Sequence, residues 1–362
     1  MPAFKPPRER RWVVRMQWTS LLYAVLLIGS SICSVFGNSV LLLVVLFDKS
    51  LRTDTWPLTM SFCLSDLTLA ISVIPFGIHN SLYSVKSYSS KSVLCQGSAF
   101  LFLLFQLASI HSLTWAVVDK FTEICFALSY TSIFTAHRVK VILTLVWVYS
   151  LLNAAMPLLG FGSYSYSEMK FLCFPSFQPS RIGFNMLFMV LGIIIPILLM
   201  CSMYGYIVYI ARNQVKRGTF VCNEDHCFYV PANNYFKSSI VMVTTIVCLL
   251  VCWLPYIIIC FYETLTGKES SQFVSVIATW LVLFTSALNP WINSMTRTRY
   301  RVALRRSVNK IRKMLQHPCK TSLFKCTTVQ PARESNKSTA SSPSVPPAPQ
   351  TNNRPQQDLT LA

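Results

Sequence analysis

Residues 237–262 read KSSIVMVTTIVCLLVCWLPYIIICFY, and after Lys237 no charged residue interrupts the run. As an α-helix rising 1.5 Å per residue, it is long enough to cross the roughly 30 Å of hydrocarbon in a bilayer. Only helices and closed β-barrels satisfy their backbone in lipid, and this run is too long and too unalternating for a barrel strand. Six further runs of the same kind lie at about 19–47, 56–83, 94–122, 138–160, 182–211 and 272–295. The expected fold is an all-α membrane protein, a seven-transmembrane helix bundle.

Composition agrees with that reading. Hydrophobic residues make up 53% of the 362-residue chain and charged residues 12%, against about 25% charged in soluble domains. Mean hydropathy is +0.47, more apolar surface than one water-surrounded core can hide. The formal net charge is +19, yet the polar surface a nucleic-acid binder needs is scarce, so no nucleic acid is expected as partner. Ten basic residues fall on the N-terminal side of the bundle and 22 on the other, which by the positive-inside rule puts the C-terminus in the cytosol. Around the first run alone the balance is reversed, with five basic residues before it and only Lys49 and Arg52 after it.

Cysteines arbitrate. Most of the 13 sit inside spans, as small apolar fillers do. Cys95 opens the third span and Cys173 lies in the loop after the fourth, both on the N-terminal side. A bridge between them would tie that loop to the bundle, contributing roughly 2–4 kcal/mol. It would require an oxidising compartment, hence an extracellular N-terminus. Met1–Gln17 is polar and contains proline, so the first span is expected to act as its own insertion signal.

Single residues along the spans then form a pattern. The first span carries Gly37-Asn38-Ser39-Val40 and the second Leu64-Ser65-Asp66-Leu67. The third has Cys95 and, 24 residues on, Asp119. The fourth has Trp147 and Pro157, and the fifth Pro196 with Tyr204 eight residues later. The sixth reads Cys252-Trp253-Leu254-Pro255 and the seventh Asn289-Pro290-Trp291-Ile292-Asn293. One motif per span, in order and at matching depth, over about residues 19–316, resembles the rhodopsin-like (class A) G-protein-coupled receptors, of the orphan type.

Asp66 lies near mid-bilayer, where an ionised carboxylate costs at least ~2.5 kcal/mol. Asn38, Ser109, Thr285 and Asn289 could face it, a constellation that resembles the family's sodium pocket; a protonated Asp66 in an ion-free polar network is the alternative. No other cofactor and no resident metal are expected. Pro196, Pro255 and Pro290 each remove a backbone hydrogen bond. Beside Trp253 they offer the pivot through which, by the resemblance, an extracellular signal opens the cytosolic face.

After the seventh span, Tyr300, Leu304, Val308, Ile311 and Leu315 recur at three- and four-residue spacing among eight basic residues. That pattern describes an amphipathic cytosolic eighth helix lying on anionic inner-leaflet lipids. Pro318 ends it, and Cys319 is placed for palmitoylation. From Thr321 the composition cannot bury a core. Ser338, Thr339, Ser341, Ser342 and Ser344 form a candidate phosphorylation cluster for receptor kinases and arrestin. The expected organisation is a short extracellular terminus at 1–18, the helical domain at 19–295, the surface helix at 296–316 and a disordered cytosolic tail at 317–362.

No phosphate loop, zinc-protease motif or convergent histidine set is present, so no enzyme is expected. A transporter or channel is a further alternative, though the internal repeats, broken helices or paired intramembrane charges usual in those folds are not evident in the sequence. The expected function is a plasma-membrane receptor coupled to heterotrimeric G proteins, with ligand-independent activity among the possibilities and a non-signalling scaffold or decoy as the alternative. Amine receptors of the family carry an aspartate where Phe102 stands, and retinal binders a lysine where Leu283 stands, so neither ligand class is implied. The pocket drawn from the resemblance uses Phe76, His79, Phe102, Gln106, Trp253, Tyr256, Glu263 and Trp280. A small lipid-like ligand suits it; a plug formed by loop 161–181 is the competing reading. Two departures touch the switch. The family's Asp-Arg-Tyr is Asp119-Lys120-Phe121, and its Asn-Pro-x-x-Tyr ends at Asn293. Lysine lacks the guanidinium fork, and the hydroxyl that would meet Tyr204 through water is gone.

Overall fold

The computed structural model describes the backbone of residues 7–83, 92–217, 220–223, 226–229, 232–296 and 298–316, and side chains within 18–83, 92–213, 240–292, 300–309 and at 312. Asn293, Ile311, Leu315, Cys319 and the serine and threonine cluster at 338–344 therefore lie outside the described side chains. Among the described residues, seven helices are long and apolar enough to cross a membrane: Trp18–Phe47, Trp56–Tyr83, Val93–Cys125, Ala136–Ala155, Pro179–Asn213, Ile240–Thr266 and Gln272–Ile292.

The first span shows why these helices associate as they do. Its exposed face carries Leu21, Val25, Ile28, Ile32 and Phe36, spaced three or four apart. Its buried residues include Ser20, Ser30, Ser34 and Asn38. Lipid is as apolar as leucine, so hiding apolar surface is no advantage in itself; Tyr23, Leu27 and Leu41 are buried here too, and the small and polar residues beside them let the helices pack closely and hydrogen-bond. Gly37 is part of this contact: a Cβ on it would lie 3.1 Å from the Cβ and Cγ of Pro290. Its bare backbone lets the first and seventh spans approach.

The fourth span ends at Ala155, five residues before the expected boundary; Met156 still has helical angles (φ −52°, ψ −44°), and Pro157, lacking an N–H, cannot extend the ladder beyond it. The fifth is not uniform. Ile182–Leu187 is α-helical, Phe188–Ile194 is a π segment, and Ile195–Arg217 resumes the α-helix. The π segment runs into Pro196, whose missing N–H and ring disrupt the regular ladder. Pro255 and Pro290 both lie inside continuous helices.

Two short antiparallel hairpins interrupt the helical pattern. The first pairs β1 (Tyr164–Ser167) with β2 (Leu172–Pro175), with Ser165 opposite Phe174 and Tyr166 opposite Cys173. The second, β3 (Phe220–Asn223) with β4 (His226–Tyr229), lies between the fifth and sixth spans. After the seventh span the helix Thr298–Gln316 follows. Tyr300 and Ala303 are buried in one cluster with Leu41, Val44, Val45, Phe62 and Cys63, joined by part-buried Leu304. Ala303 was not in the expected stripe, and Val308 is 53% exposed. Burial holds the Tyr300 hydroxyl above its ordinary pKa.

Candidate functional site

At one end of the bundle, the first hairpin is driven into the space between the spans. Ser92 caps the third span through a 3.2 Å bond to the amide of Cys95, fixing that cysteine in the first helical turn. Cys95 is bridged to Cys173 with their Cα atoms 5.4 Å apart. Phe171 adopts φ 54°, a left-handed conformation costly for a side chain with a Cβ. Its carbonyl accepts a 3.1 Å bond from Asn80 Nδ2, and Tyr164 donates to the carbonyl of Ala154 at 2.8 Å. Strand β2 is buried along its whole length.

The tether determines what fills the centre. Phe174, next to Cys173, meets Phe102 edge to face at 4.6 Å and lies 6.5 Å from Tyr256. Phe177 meets Tyr256 and Phe188, each at 6.4 Å. Beneath them remains a cavity of about 10 Å³ bordered by Phe102, Gln106, Trp253 and Tyr256 among others, no more than one water's space. Gln106 Oε1 is buried without a hydrogen-bond partner there.

Half of the pocket expected from sequence thus converges: Phe102, Gln106, Trp253 and Tyr256. The other half goes elsewhere. Trp280 donates to Ser30 Oγ at 2.9 Å and stacks on Phe284 at 5.0 Å. His79 lies against the Tyr83 ring at 4.9 Å, and Phe76 packs at the edge of the core. Glu263 accepts a 2.7 Å bond from Lys170, and both residues are buried. Among the described residues, Phe174 and Phe177 occupy the space beside Phe102 and Tyr256.

Midway through the bundle, Asp66 is buried with both carboxylate oxygens engaged. Ser109 Oγ donates to Oδ1 at 2.6 Å and Asn289 Nδ2 to Oδ2 at 2.7 Å. Two expected members point away. Asn38 Nδ2 donates to Ser34 and to the carbonyl of Ser286 at 3.0 Å, crossing to the seventh span without reaching Asp66. Thr285 donates to the carbonyl of Val282 in its own helix. The Asp66 carboxylate and the Ser109 hydroxyl are hard oxygen donors of the kind a sodium ion takes, and Asn38 Oδ1 is a further buried acceptor without a partner.

At the other end, Lys120 is not chiefly the partner of Asp119. It bonds Glu123, one turn along the same helix, and stands 3.9 Å from Asp119 Oδ2. Asp119 Oδ1 instead accepts a 2.6 Å bond from Tyr130, in a one-turn helix (Tyr130–Ile133) between the third and fourth spans. Burial first, then the Asp119 carboxylate, raises the Tyr130 hydroxyl above its ordinary pKa, so it stays a donor. Phe121 packs on Tyr206 at 5.8 Å, and Tyr204 is buried. Sequence reasoning missed Phe174, Lys170 and Tyr130.

A seven-helix membrane bundle with a disulfide-pinned hairpin in one mouth and a buried carboxylate at its centre is the architecture of a signalling receptor. The family described as 7 transmembrane receptor (rhodopsin family) matches residues 37–292, and the chain belongs to it. It is 29% identical over 249 residues to the adenosine receptor A3 of Ovis aries, covering 67% of this chain and 76% of that receptor. With the G-protein coupled receptor 161 of Mus musculus it shares 27% identity over 293 residues, covering 73% of this chain but 52% of that protein. The histamine H2 receptor of Canis lupus familiaris is 26% identical over 276 residues, covering 75% of this chain and 74% of that one.

Proposed function

We propose that this receptor signals through heterotrimeric G proteins from the plasma membrane, with its own loop between the fourth and fifth spans seated where a diffusible ligand would bind. The observation that carries the reading is Phe174, bridged through Cys173 to the third span and packed between Phe102 and Tyr256. Tyr256 is one helical turn from Trp253, so the occupant touches the segment where Pro255 loosens the sixth span. A tethered occupant is present at constant stoichiometry and biases the two-state equilibrium without a ligand being added. The resulting signalling is low and partly constitutive. The N-terminus and this loop are extracellular; the C-terminus is cytosolic, with the surface helix 296–316 on anionic lipids, Cys319 palmitoylated, and the 338–344 cluster read by receptor kinases and arrestin. Asp66 holds the sodium ion, whose charge would offset that of the buried carboxylate.

The test is basal G-protein recruitment in cells, with wild type and Phe174→Ala matched for surface expression. Wild type should exceed untransfected cells, and Phe174→Ala should lower the signal several-fold. A variant that recruits as well as wild type would remove the loop from the mechanism. Wild type at background would leave the scaffold reading in its place.

A further inference from the structure

Beyond the aromatic plug, the same hairpin builds a polar chamber. Lys170 lies in the turn between β1 and β2, and its ammonium reaches Glu263 Oε2 at 2.7 Å while standing 5.9 Å from the centre of the Phe177 ring. Both side chains are more than nine-tenths buried, at 6% and 9% exposure. Glu263 Oε1, the second oxygen of that buried carboxylate, has no hydrogen-bond partner. Glu263 and Lys170 border a cavity of about 130 Å³, whose wall also includes Ser165, Ser167, Lys268 and Glu269. That is room for about four waters, or for a molecule of a few heavy atoms.

The charges select its class. The wall carries two lysines and two glutamates, so it is neutral as it stands. A ligand bearing only an ammonium would leave two cations, its own and that of Lys170, sharing the one buried carboxylate of Glu263, and one bearing only a carboxylate would set a second anion beside Lys170 with no added cation. An uncompensated buried charge is strongly unfavourable. A small zwitterion places an ammonium on Glu263 Oε1 and a carboxylate toward a lysine, and every charge keeps a partner. The geometry points to a binding site for a small α-amino acid at the Lys170–Glu263 pair. The serine hydroxyls of the wall supply the uncharged hydrogen bonds that hold so small a ligand in one orientation. Seated there, it bridges the hairpin turn to the end of the sixth span.

Binding is read on purified full-length receptor in detergent, so it stands apart from any question of coupling. Millimolar glycine or L-alanine should raise the melting temperature by several degrees, whereas ethylamine, acetate, glycinamide and N-acetylglycine should not. Glu263→Gln should abolish the shift. Because that variant strands Lys170 and can fail to fold, Ser165→Leu serves beside it: it fills the chamber, keeps all four charges, and should melt like wild type while losing the response. Absence of any shift with either amino acid would overturn the site. So would equal shifts from the singly charged analogues, or a full response in Ser165→Leu.

Discussion

Replacing Asp66 with leucine removes the acceptor for two buried donors, Ser109 Oγ at 2.6 Å and Asn289 Nδ2 at 2.7 Å. Each orphaned donor costs ~1–3 kcal/mol, so the network loss is ~2–6 kcal/mol. Removing an ionised carboxylate from mid-membrane returns part of this, on the order of 2.5 kcal/mol or more. Leucine against wild type therefore mixes two opposing effects. Asparagine separates them, because it removes the same charge yet keeps one carbonyl for one of the two donors. The difference between the variants is then a single orphaned donor, ~1–3 kcal/mol in favour of asparagine. Thermal unfolding of the purified receptors measures it, followed by a thiol-reactive dye on Cys63, Cys252 and Cys260, which are buried in the folded state. Asp66→Leu should melt below Asp66→Asn, and exchanging choline for sodium should stabilise wild type alone. If leucine matched or exceeded asparagine, the hydrogen bonds drawn around Asp66 would contribute nothing and the network account would be wrong.

Cys95→Ser and Cys173→Ser should each reduce surface expression, measured by labelling intact cells; unchanged levels would show the loop holding its place without the bridge. Tyr130→Phe removes the hydroxyl bonded to Asp119 and should raise basal G-protein recruitment, tenfold for each ~1.4 kcal/mol by which the resting arrangement is weakened. An unchanged baseline would show that Asp119 is not a latch. Lys120→Arg combined with Asn293→Tyr should increase recruitment at matched expression, and no gain would mark both departures as neutral.

The number of spans was legible because crossing a bilayer is a matter of length and apolarity, which a sequence states directly. Cys95 and Cys173 were legible from their place on the N-terminal side of the bundle, one at the mouth of the third span and one in the loop after the fourth. The pocket was only half legible, because depth along a helix does not fix rotation about its axis. Trp280 has the right depth, yet its indole turns to Ser30 on the first span. Asn38 likewise had several acceptors within its reach, and the carbonyl of Ser286 took it in place of Asp66. The partner of Lys120 could have been read without a structure. Residues one apart on a helix do not face each other and residues three apart do, which favours Glu123 over Asp119. Phe174 sits in a four-residue strand and Tyr130 in a one-turn helix between spans, elements too short for a periodicity to mark the residues that turn inward.

Those two loop residues have a common physical consequence. At each end of the bundle, a place where the resemblance leads one to expect a separate or charged partner is taken by an aromatic side chain of the chain itself. Phe174 is held by the disulfide one residue away. Tyr130 lies five residues before Thr135, whose hydroxyl caps the fourth span. A tethered group competes at its effective concentration, in the millimolar range for a short flexible tether and independent of anything outside the cell. A free ligand must exceed that value, scaled by the contacts each makes, before it displaces the loop. Under the proposed reading, the equilibrium then answers less to ligand occupancy than to what moves these loops. The Lys170–Glu263 pair is a buried ionic contact between the hairpin and the sixth span, so perturbing it should shift the position of Phe174 more readily than any molecule offered to the 10 Å³ left beneath the plug.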